Sequence, residues 1–206
     1  MDALSKIFFF FFLAKTEYLY LKLFRPNSFE YVHEPTMMAY VILHGQATFV
    51  FEDQTELQTQ QGDLVLLPAG QSHRVYIDAI STLSAPYTIN ADFKTHAQQC
   101  LNIGSEMQNP HSFILVIRAE LDIQMARPLI GALPSYLHTQ HILSDTAPEW
   151  LQIGLQFLAL ENQQIRPGRD KILDHLVSIL LIECVRDYIL NLDNASSWLN
   201  ALSHPE

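Results

Sequence analysis

Twelve residues constrain this chain more than any others: Gly62-Asp63-Leu64-Val65-Leu66-Leu67-Pro68-Ala69-Gly70-Gln71-Ser72-His73. Gly62-Asp63 turns the chain into a strand, and Leu64 to Leu67 cross a barrel wall. Pro68 and Gly70 then set a sharp corner that aims His73 at the interior. The surrounding first half also reads as β. Short apolar or period-2 segments occur at 18–24, 38–43, 47–51, 64–67, 73–77 and 113–121. His44-Gly45, Glu52-Asp53-Gln54, Gln61-Gly62-Asp63 and Pro68-Ala69-Gly70 break them with turn residues. Short strands at intervals of about 8–12 residues point to an antiparallel barrel or sandwich rather than to βαβ units.

Past about Pro128 the pattern changes. Pro148-Glu149 opens a helical run through Trp150, Ile153, Phe157 and Leu160, Pro167-Gly168 interrupts it, and a longer helix is expected from Arg169 to about Leu192. Two helices around a short break make a hairpin. The expected division is a β-barrel over residues 1–125 and a helical region over 126–206. At the N-terminus, Lys6 and the run Ile7 to Ala14, with its five consecutive Phe, have the flavour of a signal peptide. Eight apolar residues fall far short of the roughly 20 that span a bilayer, and Lys15 stands where a cleavage site would be. A short buried helix from Met1 to about Ala14 is expected instead, leading into a strand at Tyr18–Leu23.

Composition excludes several classes. Of 206 residues, 49% are hydrophobic and 17% charged, which rules out disorder. Twelve Lys+Arg against 22 Asp+Glu leave a net charge of −10, the wrong sign for a surface that must neutralise phosphates. Cys100 and Cys184 are the only cysteines and sit in unlike contexts, so no zinc ribbon or redox pair is expected, and the compartment is read as reducing, hence cytoplasmic. No GxSxG elbow and no glycine-rich phosphate loop is present.

The spacing G-x5-P-x-G-x2-H of Gly62, Pro68, Gly70 and His73 resembles the second conserved motif of the cupin superfamily. That resemblance implies a small β-barrel whose interior holds a metal or a small ligand. The first cupin motif, G-x5-H-x-H-x(3,4)-E-x6-G, places Tyr31 at its first His, His33 at its second and Met38 at its carboxylate. Phenol and thioether are poor ligands for hard divalent ions. His33 and His73 are the pair left for a metal, and the expected metal and cofactor complement is none. If His33 and Met38 point inward, period-2 alternation brings Tyr31, Tyr40 and Ile42 inward with them, and His73 joins them. Tyr31, His33, Met38, Tyr40, Ile42 and His73 are therefore the candidate ligand-binding set, suited to a small, mostly apolar ligand with a few polar groups. A barrel filled by its own side chains is the competing expectation.

Further signatures follow in order: Val41-Ile42-Leu43-His44-Gly45, the Gly62–Pro68 run, Arg127-Pro128-Leu129-Ile130-Gly131-Ala132-Leu133-Pro134, two helices, and Trp198-Leu199-Asn200-Ala201-Leu202. Together they resemble the cupin-type sensor domain of AraC-family transcription regulators. That resemblance implies a cupin barrel (double-stranded β-helix, jelly-roll-like) followed by an α-helical hairpin: an effector-binding barrel, a dimerising hairpin, and DNA contact only through a separate C-terminal helix-turn-helix module. The chain reaches Glu206 about where that module would begin, so it is expected to be a piece of a longer regulator. Leu115-Val116-Ile117 stands where many relatives carry Leu-Cys-Gly. On the long helix, Leu173, Val177, Leu180, Cys184 and Tyr188 form one stripe, while Leu176, Ile179, Leu181, Ile182 and Val185 lie largely off it. A helix apolar on more than one face buries both. The first stripe is the expected homodimer interface. The alternative function is a stand-alone metal-dependent cupin enzyme of dioxygenase or isomerase type, using His33 and His73.

Overall fold

The polar breaks fold the strands back on one another in two layers. The computed structural model describes residues 13–78, 85–93, 100–105, 109–121, 130–140, 142 and 167–190. In chain order the strands are β1 (Leu13–Leu23), β2 (Ser28–Tyr31), β3 (Met37–His44), β4 (Gln46–Phe51), β5 (Glu56–Gln60), β6 (Leu64–Leu67), β7 (His73–Tyr76), β8 (Tyr87–Thr88), β9 (Cys100–Ile103), β10 (Ser112–Leu121) and β11 (Leu137–Thr139). One helix, α1 (Arg169–Leu190), follows. A six-stranded sheet runs β11-β6-β3-β10-β1-β9, and a five-stranded sheet runs β5-β4-β7-β2-β8. This is a mainly β, two-sheet architecture with a helical end, as the resemblance implies.

The six-stranded sheet is covered on both sides, which is why its central strands read as unbroken apolar runs. Every residue from Met37 to Ile42 and from Leu64 to Leu67 is buried. Its inner face carries Leu19, Leu21, Met38, Tyr40, Ile42, Val65, Leu67, Ile114 and Val116, which meet Phe29, Phe49 and Val75 of the five-stranded sheet. Its outer face carries Tyr18, Met37, Ala39, Val41, Leu64, Leu66, Leu115 and Ile117, which meet Leu133, Leu137 and Ile142 and the α1 residues Val177, Leu181, Cys184 and Val185. Each such side chain taken out of water contributes about 1.5–3 kcal/mol. Two apolar cores thus share one sheet.

Turn residues sit where the reading of the sequence puts them. Gly45, Gln54, Gly62 and Gly70 all have positive φ, at 79°, 65°, 88° and 57°. At Gly70 glycine is required twice over, because a Cβ there would overlap the carbonyl oxygens of Glu34 and Thr36.

Several expectations change. Leu13 and Ala14 belong to β1 rather than to a helix; residues 1–12 lie outside the described residues, as does the stretch from Pro148 where the first helix of the hairpin is expected. Strands β2, β5, β8, β9 and β11 lie outside the expected segments. His138 lies in β11. Cys100 is exposed and Cys184 buried, with no disulfide between them. On α1, the stripe expected to face a partner subunit packs on this chain's own barrel instead. Val177 and Cys184 are buried in the outer core and Tyr188 packs against it, because the uncovered outer face of the sheet is the nearest large apolar surface. The side chains of Leu173 and Leu180 lie outside the description.

Replacing Gly70 with Ala combines a positive φ with two backbone overlaps, so Gly70→Ala should lower unfolding free energy by about 3 kcal/mol or more. Urea unfolding followed by far-UV circular dichroism tests this, and an unchanged midpoint would refute the assignment of the corner.

Candidate functional site

His73 opens β7 directly after the Gly70 corner, opposite Tyr31 on β2 and Phe51 on β4. It is 4% exposed. Its Nδ1 lies 2.8 Å from the Gln71 carbonyl oxygen, and its Nε2 lies 2.6 Å from the Tyr40 hydroxyl. A carbonyl only accepts, so Nδ1 carries the proton; Nε2 is then the acceptor, and Tyr40 donates to it. Both ring nitrogens are engaged. Burial pushes the His73 pKa down from 6.5 to about 4, against the Gln71 carbonyl, which favours the protonated ring. Burial likewise raises the Tyr40 phenol well above its ordinary value, with the nearby Tyr31 adding to the shift. The pair is a neutral hydrogen-bonded couple at physiological pH.

Rings surround it. Tyr40 meets the imidazole edge-on at 5.2 Å, with Tyr31 at 5.7 Å and Phe49 at 6.0 Å. Phe51, at 6.5 Å from His73, carries on its other side the ring of Tyr136, stacked at 4.7 Å and 8°. A cleft of about 440 Å³ lies on the solvent side of the five-stranded sheet, lined chiefly by Glu30, Val50, Glu52, Glu56, Arg74 and Tyr76, with the buried Tyr31, Phe51 and His73 behind it.

Of the six candidate residues, five come together. Tyr31, Met38, Tyr40 and Ile42 belong to the inter-sheet core, and His73 stands among their rings. His33 does not join them. It is exposed, and its Nδ1 donates to the Gly70 carbonyl at 3.0 Å while its backbone amide donates to Ser72 Oγ. Alternation failed here for a definite reason: β2 ends at Tyr31 and the chain leaves the ladder between Val32 and Thr36, so the period-2 count does not carry from Met38 back to His33. His33 braces the corner from outside. With His33 exposed and His73 doubly hydrogen-bonded, the two imidazoles of the alternative enzyme reading do not come together. Among the described residues no group of three or more His, Cys, Asp or Glu gathers as a metal site would.

A second polar group went unread in the sequence. Arg118 on β10 pairs in register with Glu17 on β1 and with Met38 on β3. Its guanidinium donates to Glu17 Oε2 at 2.6 and 2.8 Å and to Glu34 Oε2 at 3.0 Å. It also donates to the Asn90 carbonyl and lies 4.4 Å over the Phe93 ring. Tyr31 donates to Glu34, which joins this group to the aromatic end. Glu17 and Arg118 are 101 residues apart, so only the strand pairing reveals them.

Residues 2–190 match the cupin family. The chain is 47% identical, over its full 206 residues, to the HTH-type transcriptional regulator AlkR of Acinetobacter baylyi (strain ATCC 33305 / BD413 / ADP1), and spans 67% of that protein. It belongs to the cupin family, in the form carried by AraC-type transcriptional regulators. Among solved structures, unsaturated fatty acid bound ToxT from Vibrio cholerae strain SCE256 aligns over 84% of this chain and 53% of its own, at 11% identity and a TM-score of 0.43. A cupin-2 domain containing protein from Shewanella frigidimarina NCIMB 400 aligns over 51% of this chain and 69% of its own, at 12% identity and a TM-score of 0.29. No described helix of this cupin is long and apolar enough to cross a membrane. The barrel and the regulator family both agree with the order of signatures in the sequence.

In this cupin, protonating His73 in place would break the Tyr40 donation inside an apolar core. Between about pH 4 and 6.5 the unfolded chain binds that proton and the folded chain does not, so unfolding free energy falls as pH drops through the window. The contribution is fully present above pH 6.5, and its loss amounts to about 3 kcal/mol by the lower limit. Urea midpoints at pH 4.5 and 7.5 for the wild type and His73→Gln test this; equal pH slopes in both would rule it out.

Proposed function

We propose that the chain is the ligand-sensing and self-associating part of an AraC-type regulator, in which a small effector in the cupin barrel controls DNA binding by a helix-turn-helix module. The carrying observation is the 47% identity to a transcriptional regulator along the whole chain. A cytoplasmic location follows from that role. The mechanism is a population shift, in which the effector binds one arrangement of the regulator better than the other.

The interior supports one effector class. The inter-sheet core is built of Leu, Ile, Val, Met and aromatic rings. Its imidazole is neutral and already paired with Tyr40. Arg118, on the inward row of β10, is already neutralised by Glu17 and Glu34. Among the described residues of the interior, no cation is left for an anionic ligand. This supports an uncharged, mostly apolar molecule, whose entry costs no unpaired charge. A thermal-shift panel of 1-octanol, 1-dodecanol and dodecanoate at matched free concentration tests this. The alcohols should raise Tm and the carboxylate should not; stabilisation by the carboxylate alone would overturn the class.

For self-association the support is the outer side of α1. Ile172 and Ile179 are 42% and 46% exposed, and their seven-residue spacing puts them on one face, away from the buried Val177, Leu181 and Cys184. A second copy of the chain would cover that stripe. Sedimentation velocity at tens of micromolar should give a dimer, and Ile179→Lys should weaken it about tenfold or more, the effect of one charge in an apolar contact. A monomer at that concentration would end this part of the reading.

A further inference from the structure

Residues 87–93 cover the aromatic end of the inter-sheet core. Ile89 and Phe93 are buried in that core. Phe93 presents its edge to Tyr31 at 6.3 Å and 88°, and Tyr31 in turn lies 5.7 Å from His73. The segment is tied to itself: the Asp92 amide donates to the Ile89 carbonyl at 3.0 Å, and the Tyr87 hydroxyl donates to Asp92 Oδ1 at 3.4 Å. Its strand pairing is slight, two residues of β8 against Phe29 and Glu30 of β2.

Beyond β8, one residue gathers the attachment. Asn90 Oδ1 accepts the Val32 amide at 2.9 Å, and Asn90 Nδ2 donates to the Val32 carbonyl at 2.7 Å. The side-chain amide thus pairs with a peptide unit as a neighbouring strand would, one residue past the end of β2 at Tyr31. The same Nδ2 donates to Glu34 Oε1 at 3.0 Å, and the Asn90 carbonyl accepts from Arg118 Nη1 at 3.0 Å. A carboxylate in this place would have no donor for the Val32 carbonyl and would repel Glu34. The contacts of Arg118 divide between two sides. Glu17 holds the guanidinium from the adjacent strand and Glu34 from the β2–β3 connection, whereas the Asn90 carbonyl and the Phe93 ring come from the segment. Departure of the segment therefore leaves no buried charge unpaired, which would otherwise forbid it.

We propose that residues 87–93 are a lid on the aromatic end of the barrel and that the Asn90 side chain is its latch. The lid opens as one unit while the two sheets stay paired, and its opening uncovers Tyr31, with His73 behind it. Opening gives up the burial of Ile89 and Phe93 together with the Asn90 bonds, so the closed form dominates. It is a local event that stops well short of unfolding the barrel. The lid stands on these contacts alone and does not depend on the sensor reading.

Native-state hydrogen exchange of the 206-residue chain in low urea tests this. The amides of Val32 and Ile89 bond across the seam, to Asn90 Oδ1 and to the Glu30 carbonyl. In the wild type they should exchange faster than the paired amides of β3 and β10, and with a far smaller urea dependence, because opening the lid exposes little surface. Asn90→Asp keeps the shape and the acceptor, removes both donors and sets a second carboxylate against Glu34. It should speed exchange at Val32 and Ile89 about tenfold or more. Glu34→Gln in the Asn90→Asp background returns an amide to the pair and should recover part of the lost protection, which a merely destabilising substitution would not allow. Equal rates and equal urea dependence at the seam and in β3 and β10 overturn the lid as a separate unit. Wild-type exchange at the seam in Asn90→Asp overturns the latch, as does the absence of any recovery in the double variant.

Discussion

A sheet with two dry faces governs this molecule. The six-stranded sheet has water on neither side of its central strands, so β3 and β6 carry apolar residues at consecutive positions and the two faces communicate through a single layer of backbone. The inner face needs a second sheet to cover it, and the five-stranded sheet does so. The outer face needs a helix, and α1 with the 130–142 segment supplies it. The inter-sheet core and the helix therefore lie back to back across one layer, about 10 Å from either partner.

Polar groups inside such a molecule survive only in closed sets. Tyr40 and His73 satisfy one another, with the Gln71 carbonyl taking the remaining ring proton. Arg118, Glu17 and Glu34 form a second closed set at the same end of the barrel, bridged to the first through Tyr31. In the two sets the imidazole has both nitrogens engaged and the buried Glu17 is paired with Arg118, while Glu34, whose side chain is 38% exposed, reaches solvent. The first set also makes His73 a poor acid, base or metal ligand, because any of those roles would first have to break the bond from Tyr40. The residues that occupy the cupin metal positions here are thus used for packing and mutual hydrogen bonding.

Much of the barrel was legible because its signals are local. Gly62, Pro68 and Gly70 specify a corner by backbone conformation alone, so the inward aim of His73 could be read from them. The apolar runs of β3 and β6 and the ten-residue β10 declare themselves by composition. β5, with Glu56, Gln58 and Gln60 facing solvent on a sheet edge, has too little apolar content to be recognised. β2 and β11 are too short, at four and three residues, for any period to emerge. The inward set was read well where a strand was continuous, from Met38 to Ile42, and failed at His33, where the chain leaves the ladder. Alternation is a property of a paired strand and does not pass through a loop.

The stripe on α1 shows the same limit from the other side. Helical periodicity grouped Val177, Cys184 and Tyr188 correctly onto one face, but periodicity does not say what covers a face. By itself the sequence determined the barrel class, its corners, the motif that ends in His73, and the family whose signatures run along the chain, because each is written in residues close together or in fixed order. Only the tertiary structure decided that His33 braces a corner from outside, that Arg118 meets Glu17 across 101 residues, that His138 reaches Asp63, and that Tyr136 lies on Phe51. Those contacts depend on strand pairing and on which face of each element turns inward, and both are settled by burying the two faces of one sheet at once.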